Sequence, residues 1–487
     1  MVHFVHRIDA PRRGVERCLM DLVDKGGALS ISSGEGGGVV SIDQLRTDVA
    51  SGEIDTVTVA IVDMQGRLTG KEIQAEFFLD EIFSQGTEGC NYLLAVDVEM
   101  NTVSGYAMSS WDSGYGDFVM MPDLETLRYL PWQPKTAFVI ADVQWLDGSD
   151  VVVSPRQILK KQLDVLAKRG LEAHCGTELE FIVYNDTYEE AWRQGYRSLS
   201  PANLYNVDYS IMGVNRVGPL LREIRLAMAK AGLTVESIKG ECNLGQHEIA
   251  FHFDQALKTC DNHVLYKLGA KEIASSFGKS LTFMAKVNER EGSSCHTHLS
   301  IRSSDGKMVM AQDGVSGELS EFGAHFVAGL LRHLSEVSLF FAPNINSYKR
   351  YVEGSFAPTA IAWGRDNRTC AMRLVGHGKS LRIENRVPGG DANPYLVVAA
   401  MIAAGLDGVD SELSLEEALV GNAYAAEVER VPDTMTKALD LWLNSEFVSR
   451  TFGDEVRDHY ANMAKVELAA YNRTVTDWEL YRSFERM

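Results

Sequence analysis

Alternating apolar and polar positions predict a strand near residue 55. Val57, Val59 and Ile61 are apolar, the residues between them are small or polar, and the sequence DMQG at 63–66 is typical of a turn. A second run of this kind, at 136–145, predicts another strand. These runs predict a small β-rich N-terminal domain over residues 45–148.

Helical periodicity dominates the rest of the chain. Ser154 is a good N-cap, Pro155 suits the first helical position, and Gly170 can end the helix between them. Because the apolar run at 395–406 is shorter than the roughly 18 residues of a membrane span, it predicts a buried helix instead. Further helices are predicted at about 217–231, 263–278, 321–340 and 393–406. The pattern is that of an α+β enzyme with a large C-terminal domain over residues 149–487.

Residues 1–44 are predicted to form a flexible N-terminal extension. They contain the sequence SSGEGGG at 32–38, which lacks the apolar side chains that a core needs. Charged residues stand where a signal peptide would have its apolar segment, which argues against secretion. The seven cysteines are scattered and odd in number, so we expect reduced thiols and a cytoplasmic location.

Charge narrows the choice of partners. The 487 residues include 47 Lys and Arg against 67 Asp and Glu, a formal net charge of −20. Duplex DNA and anionic membranes bind basic surfaces, so neither a nucleic acid nor a membrane is an expected partner. An acidic protein of this size is compatible with an enzyme that acts on small molecules and binds cations.

Four short segments each combine one apolar face with one strongly charged face, because residues two apart on a strand point the same way. One interpretation is four solvent-exposed faces. We favour the other, that the faces converge on one site, since solvated faces usually mix Lys, Thr, Ser and Gln. The charged faces carry Glu178 with Glu180, Glu248 with His252, His296 with His298 and Ser300, and Glu384 with Arg382 and Arg386.

Converging glutamates would need cations. Two carboxylates at ~4 Å repel by roughly 4 kcal/mol at an effective dielectric constant near 20. A set of ligands rich in oxygen suits Mg²⁺ or Mn²⁺ better than Zn²⁺. Arginines beside such ions suggest a phosphoryl group as the third component, so the residues together predict phosphoryl transfer.

A series of short motifs follows in order along the chain: GTELEF at 176–181, GE at 240–241, GQHE at 245–248, HTHLS at 296–300, NSYKR at 346–350, NRT at 367–369, RIENR at 382–386 and NPYL at 393–396. With these motifs the chain, from residue 45 to the C-terminus, resembles the glutamine synthetase superfamily. The resemblance implies a β-grasp-like N-terminal domain and a large catalytic domain in which helices flank a curved antiparallel sheet. KGECN at 239–243 and EREGS at 289–293 further resemble bacterial γ-glutamylamide synthetases that act on small amines, ethanolamine among them.

The resemblance also implies a set of site residues for a reaction in which ATP converts glutamate to γ-glutamyl phosphate, which an amine then attacks. Two or three Mg²⁺ or Mn²⁺ ions would be bound, the first by Glu180, Glu241 and Glu248 and the second by Glu178, His296 and Glu384. ATP would contact Glu236, Phe253, His298, Ser300, Lys379 and Arg382. Glutamate would be held by Glu180, Gly292, His296, Arg350 and Arg386. The catalytic set would be Arg350, Arg368, Arg373 and Phe356, with Arg368 and Arg373 bracing the transferred phosphate.

One departure from the family changes the expected acceptor. Relatives that make glutamine carry a glutamate in a G-x-E-A-P segment, and this glutamate takes a proton from ammonium. Here the segment reads GSFAP at 354–358, with Phe356 in that position. An aromatic ring cannot accept the proton, but it can pack against an organic group and attract a cation weakly. Glu353 is an alternative source of the carboxylate.

Three functions therefore remain open. The first is ATP-dependent ligation of the glutamate γ-carboxyl to a small primary amine, the second is glutamine synthesis from ammonia, and the third is a non-catalytic structural or regulatory role.

The resemblance implies a homo-dodecamer of two stacked hexameric rings with active sites between subunits. It also marks Tyr424 as a candidate for regulation by nucleotidylation. His174 and His333 are predicted to be structural.

Overall fold

Two β-sheets organise the chain in the computed structural model, which describes residues 38–487. The first sheet contains β1 (Thr56–Val62), β2 (Leu68–Gln74), β3 (Thr87–Cys90), β4 (Asp117–Pro122), β5 (Arg128–Tyr129) and β6 (Thr136–Gln144). The second contains β7 (Leu171–Tyr184), β8 (Val235–Gly240), β9 (Gln246–Phe251), β10 (Asp254–Gln255), β11 (Ser280–Thr282), β12 (Cys295–Ser303), β13 (Ala360–Arg365), β14 (Cys370–Val375) and β15 (Arg382–Asn385).

Helices precede, connect and follow these strands. They are α1 (Ile42–Ser51), α2 (Ala75–Phe77), α3 (Phe83–Gln85), α4 (Pro155–Ala167), α5 (Tyr188–Arg193), α6 (Ile211–Arg216), α7 (Gly218–Lys230), α8 (Ala256–Ser276), α9 (Glu321–His333), α10 (Ser338–Phe341), α11 (Ile345–Tyr348), α12 (Pro394–Asp410), α13 (Met435–Leu443), α14 (Glu446–Phe452), α15 (Asp454–Arg473) and α16 (Asp477–Ser483). A π-helical segment, Phe78–Ile82, links α2 to α3. The α+β prediction is confirmed.

The first sheet has the strand order β2-β1-β6-β4-β3, with β5 beside β6. Strands β1 and β6 pair in parallel, whereas β1 and β2 form an antiparallel hairpin. Val57, Val59 and Ile61 are completely buried, which confirms the alternation that predicted β1. The turn at 63–66 is present, and Asp63 organises it by accepting hydrogen bonds from the backbone N–H groups of Gln65 and Arg67.

The second sheet has the order β13-β14-β15-β12-β7-β9-β8, with β10 and β11 also paired to β7. All of its pairs are antiparallel except β13 with β14. Strand β7 lies between β12 and β9, so the residues of β7 face partners on both sides. The four charged segments predicted from the sequence lie on β7, β9, β12 and β15, within this one sheet.

Helix α12 confirms the prediction of a buried apolar helix. Residues 394–406 are buried without exception, and the helix packs against α9 and α4. Among residues 38–487, no helix combines the length and the apolar character needed to cross a membrane.

Several local predictions were wrong in detail. Ser154 precedes α4, but its side chain makes no capping hydrogen bond, and the helix depends instead on Pro155 at its start. The predicted helix at 321–340 is interrupted between α9 and α10, and the helix predicted from 263 begins at Ala256. His252 lies beyond the end of β9, is exposed and stacks on Phe253, so it does not share the face of Glu248.

The predicted extension falls largely outside the described residues, which begin at Gly38. Within the described part, Val40 donates its backbone N–H to the carbonyl of Leu127, and α1 begins at Ile42. The division of the chain at residues 44 and 148 stays a prediction.

A buried arginine connects the two sheets. Arg156, on α4, is 2% exposed and forms ion pairs with Asp123 (2.6 Å), Asp142 (2.5 Å) and Asp261 (3.0 Å). Asp123 and Asp142 belong to the region of the first sheet, whereas Asp261 lies on α8 beneath the second. The Tyr395 hydroxyl also donates to Asp261. The guanidinium therefore neutralises carboxylates from three segments that the chain brings together only on folding.

We expect Arg156→Met to lower the free energy of unfolding by about 3–5 kcal/mol, because it leaves the buried Asp261 carboxylate without its partner. Urea denaturation measures the change. The matched control is Arg169→Met, which removes a partly exposed ion pair with Asp410 and should cost less than about 1 kcal/mol. Equal effects of the two substitutions would contradict the importance of the buried arginine.

Candidate active site

Three glutamates and a lysine meet on one face of the second sheet. Lys239 on β8 is directly opposite Glu248 on β9, and Glu248 is directly opposite Glu180 on β7. Residues paired in this way share a face, and Glu241 follows Lys239 by two positions. Ligand oxygens of Glu180, Glu241 and Glu248 lie within 4.8 Å of one another. We call these three residues the first glutamate cluster.

Fixed hydrogen bonds hold the first glutamate cluster in place. The side-chain amide of Gln246 and the backbone N–H of Ser294 both donate to Glu180 Oε2, at 2.9 and 2.8 Å. Burial, reinforced by the charge of Glu241, raises the pKa of Glu180 to about 7. Burial likewise raises the pKa of Glu248 to about 8, although the ammonium of Lys239 opposes that shift. Without added positive charge, the cluster therefore retains protons near neutral pH.

A second group lies one strand further along. Glu178 on β7 pairs with His296 on β12, and His298 on β12 pairs with Glu384 on β15. His296 Nδ1 is 3.4 Å from a Glu178 oxygen and 3.6 Å from a Glu384 oxygen. His298 Nε2 is 3.0 Å from the other Glu178 oxygen. The structure thus brings together the predicted trio of Glu178, His296 and Glu384 and adds His298; we call the four residues the second cluster.

Glu384 is the most strongly neutralised carboxylate of the second cluster. Its side chain is completely buried and contacts the guanidinium groups of Arg373, at 2.8 Å, and Arg386. Burial alone would raise the pKa of Glu384, but its interactions with the His296 imidazole and the Arg386 guanidinium outweigh burial and lower it. Burial and the Arg386 charge lower the pKa of His296 to about 4, so this imidazole is neutral at pH 7.

Both clusters have the donor chemistry of divalent cation sites. The first offers carboxylate oxygens alone, which suits Mg²⁺ or Mn²⁺, and the second adds neutral imidazole nitrogen. The Nε2 atom of His296 is buried and has no hydrogen-bond partner among the described residues. Glu178 and Glu180 are alternate residues of β7, so the two clusters are adjacent along this strand.

A cavity of about 280 Å³ opens beside the second cluster. Glu178 forms part of its wall, so the cavity reaches the carboxylates. The Phe253 ring has neighbours in both the His174 ring, 6.2 Å away between centroids, and the Arg302 guanidinium, 5.4 Å from the Phe253 centroid. The structure brings together all six residues predicted to bind ATP, because the cavity wall includes Glu236, Phe253, His298, Ser300, Lys379 and Arg382.

Arg350 is completely buried and is largely engaged by the backbone. Its two terminal nitrogens donate to the carbonyls of Val387 and Arg386, at 2.7 and 2.9 Å, whereas Nε has no partner among the described residues. Gly292 packs against it so closely that a Cβ atom there would lie 2.7 Å from Arg350 Cγ. Only glycine fits this contact.

Phe356 lies on an exposed loop at the edge of the site. Its side chain is 56% exposed, so it is not a core residue, and its backbone adopts the left-handed conformation with φ of +59°. The Tyr424 hydroxyl donates to the carbonyl of Ala357, at 2.9 Å. Tyr424 therefore contacts the loop at the residue that follows Phe356.

The remaining predicted residues are dispersed around this edge. Arg373 contacts both Glu384 and Asp366, whereas the side chain of Arg368 is exposed and only its carbonyl accepts a hydrogen bond, from Arg386. Glu353 is also exposed. The structure thus brings the clusters and the nucleotide residues together but leaves Arg368 at the surface.

Sequence reasoning missed three residues of this region. Lys239 lies on β8 two positions before Glu241, which follows the end of the strand, and its place in the cluster becomes visible only from the pairing with Glu248. Gln246 lies in the family motif GQHE and was assigned no role, although its side-chain amide orients Glu180. His174, predicted to be structural, lies on the cavity wall. The other predicted structural histidine, His333, is indeed buried and pairs with acidic groups on α12 and after α9.

Comparisons with known proteins agree with one another. A family model described as the glutamine synthetase catalytic domain matches residues 152–483. The chain is 62% identical over 448 residues to a gamma-glutamylethanolamide synthetase of Streptomyces coelicolor, covering 92% of this chain and 96% of that protein. It is 37% identical over 444 residues to a glutamate–isopropylamine ligase of a Pseudomonas species, covering 90% and 97%. A solved structure of a GmaS–ADP complex matches with a TM-score of 0.79 at 27% identity, covering 90% of this chain and 99% of that one.

The raised pKa values of Glu180 and Glu248 predict that binding of a divalent cation releases protons. Ligation needs both carboxylates ionised, so the apparent affinity should rise as the pH increases from about 6 to 9 and then level off. Titration calorimetry with Mn²⁺ in buffers of different ionisation enthalpy measures the proton release. Glu248→Gln is the control and should reduce it. An affinity independent of pH, with no proton release, would contradict this prediction.

Proposed function

Because this chain belongs to the glutamine synthetase family, we propose that it joins the γ-carboxyl of glutamate to a small primary amine at the expense of ATP. The terminal phosphoryl group of ATP passes to the γ-carboxylate, giving γ-glutamyl phosphate and ADP. The amine nitrogen then attacks the acyl carbon, phosphate leaves and the nitrogen loses a proton. The observation that carries the choice of an amine is the 62% identity to a gamma-glutamylethanolamide synthetase.

The cavity beside the second cluster supports ATP as the phosphoryl donor. Phe253, one of the aromatic residues in its wall, offers a surface for a base, while Lys379 and Arg382 supply positive charge for phosphates. The cavity wall also includes Glu178, so phosphates bound there would end beside the carboxylate clusters. Arg373, next to Glu384, is the arginine best positioned to brace the transferred group, with Arg368 approaching from the surface.

We assign the first divalent cation to Glu180, Glu241 and Glu248 and the second to Glu178, His296 and Glu384, with His298 close enough to contribute. When bound, such ions neutralise the phosphoryl oxygens in the transition state. The protein groups have separate tasks: Gln246 and Ser294 orient Glu180, and His296 supplies a neutral imidazole nitrogen. Glutamate would lie between the clusters and the group formed by Gly292, Arg350 and Arg386.

Phe356 supports an organic amine over ammonia as the acceptor. An exposed ring at the edge of the site can cover the carbon skeleton of the amine and attract its ammonium form before deprotonation. It cannot accept a proton, so ammonium loses the base that glutamine-forming relatives are expected to use. Glu353 is exposed on the same loop and remains the alternative source of a carboxylate.

We propose that the protein assembles as a homo-dodecamer of two stacked hexameric rings, with each active site closed by a neighbouring subunit's N-terminal region. Large apolar side chains exposed along the C-terminal residues, such as Trp478, Tyr481 and Phe484, are compatible with further burial on assembly. The third hypothesis, a non-catalytic role, has no support in the site, since every predicted metal ligand position holds a competent side chain.

Activity with different nitrogen acceptors distinguishes an amine ligase from a glutamine synthetase. We expect ATP-dependent phosphate release with glutamate to be faster with one or more organic amines than with ammonium, because Phe356 provides contact area but no base. The measurement compares ammonium, ethanolamine, methylamine, isopropylamine, aniline and putrescine at equal concentration. Fastest turnover with ammonium would identify the protein as a glutamine synthetase instead.

We expect Phe356→Asn to raise KM for the preferred amine by about tenfold, the effect of losing roughly 1.4 kcal/mol of apolar and cation–π contact. KM for ATP and glutamate should stay unchanged. Asn tolerates the left-handed backbone, so the loop is preserved. Phe277→Asn, a partly exposed residue just after α8, is the matched control and should leave all three KM values unchanged. An unchanged KM for the amine in Phe356→Asn would exclude Phe356 from the amine site.

A further inference from the structure

The first glutamate cluster already contains a cation supplied by the chain. Lys239 Nζ contacts the Glu241 carboxylate directly and lies 3.4 Å from Glu248 Oε2. The pairing of β8 with β9 fixes this arrangement, because Lys239 and Glu248 are opposite each other in the register. The ammonium group is therefore built into the cluster and is not a chance contact of a surface side chain.

Charge explains why the lysine is there. Three carboxylates within 4.8 Å of one another would repel strongly in a region from which water is largely excluded. The side chains of Glu241 and Glu248 are 14% and 7% exposed, so solvent gives little screening. One ammonium group offsets the charge of one ionised carboxylate and lets the ligand oxygens stay close together.

A divalent cation and the ammonium group compete for the same oxygens. An ion bound by Glu180, Glu241 and Glu248 would carry two positive charges into contact with the carboxylates that Lys239 now touches. Two cations at such short range repel each other, so the lysine must withdraw as the ion enters. The side chain is long and flexible enough for that movement, since it is 25% exposed.

Two groups beside Glu241 can keep the ammonium group nearby once it leaves the cluster. The Tyr209 ring already has Nζ over its face, 5.2 Å from the ring centroid, and can continue to hold a cation there. Asp208 precedes it, and a carboxylate oxygen of Asp208 lies within 4.8 Å of one from Glu241. If the lysine side chain rotated away from Glu248, its ammonium group would therefore leave the carboxylates of Glu241 and Glu248 and approach the carboxylate of Asp208.

We propose that Lys239 is the resident counter-cation of the first glutamate cluster and that a divalent ion binds there by displacing it. The lysine preserves the arrangement of the ligands while no ion is bound, and its displacement weakens the binding of the ion. This inference rests on the proposed function, because it requires that Glu180, Glu241 and Glu248 bind a divalent ion.

Binding of Mn²⁺ alone to the full-length protein tests the inference, with calorimetry giving the dissociation constant at pH 8. Lys239→Met should lower the dissociation constant of the tightest Mn²⁺ binding site about tenfold or more, because the competing ammonium charge is gone. The same variant should have a lower melting temperature without metal and a larger increase on adding Mn²⁺. Lys239→Gln provides the same loss of charge with a polar side chain, in case Lys239→Met does not fold. Lys230→Met, which removes an exposed charge at the end of α7, is the control and should match the wild type.

The outcomes separate the two proposals. If Glu248→Gln abolishes tight Mn²⁺ binding but Lys239→Met and Lys239→Gln bind Mn²⁺ no more tightly than the wild type, Lys239 is only a structural partner and the inference is overturned. If Glu248→Gln leaves tight binding unchanged, the first glutamate cluster is not the metal site, and both the assignment and the inference fail.

Discussion

Repulsion between buried carboxylates is the constraint on which this site depends. Glu178, Glu180, Glu248 and Glu384 lie on three strands of one sheet and Glu241 lies in a loop beside it, and all of them except Glu178 are largely shielded from water. The protein balances them with positive charge of different kinds, namely a lysine at one end, two arginines at the other and histidines between. The site is therefore organised by charge before any substrate is present.

The sheet and the loops contribute to different parts of the reaction. Both carboxylate clusters and much of the cavity proposed for the nucleotide are built from paired strands, whose register fixes each side chain against its neighbours. The proposed acceptor side is formed instead by the loop that carries Phe356, where the backbone is irregular and the side chain is exposed.

The sequence predicted the fold class and the charged strand faces because both depend on local periodicity. Glu178 with Glu180, and His296 with His298, could be assigned to shared faces without knowing which strands were neighbours. The roles of Glu241 and Gly292 came only from the family resemblance, since neither lies in an alternating pattern. His252 was misassigned because the end of β9 depends on a long-range pairing with β8. The polar contacts of Arg350 with backbone carbonyls were equally inaccessible, since they arise from segments distant in sequence.

Strand β7 has one further consequence. Glu178 and Glu180 belong to different clusters but are separated by a single intervening residue. Their Cα atoms are therefore two strand residues apart, about 6.7 Å. Nothing in a loop can lengthen or shorten that interval. If both clusters bind ions as proposed, the distance between the two ions is set by strand geometry and not by the conformation of a flexible segment.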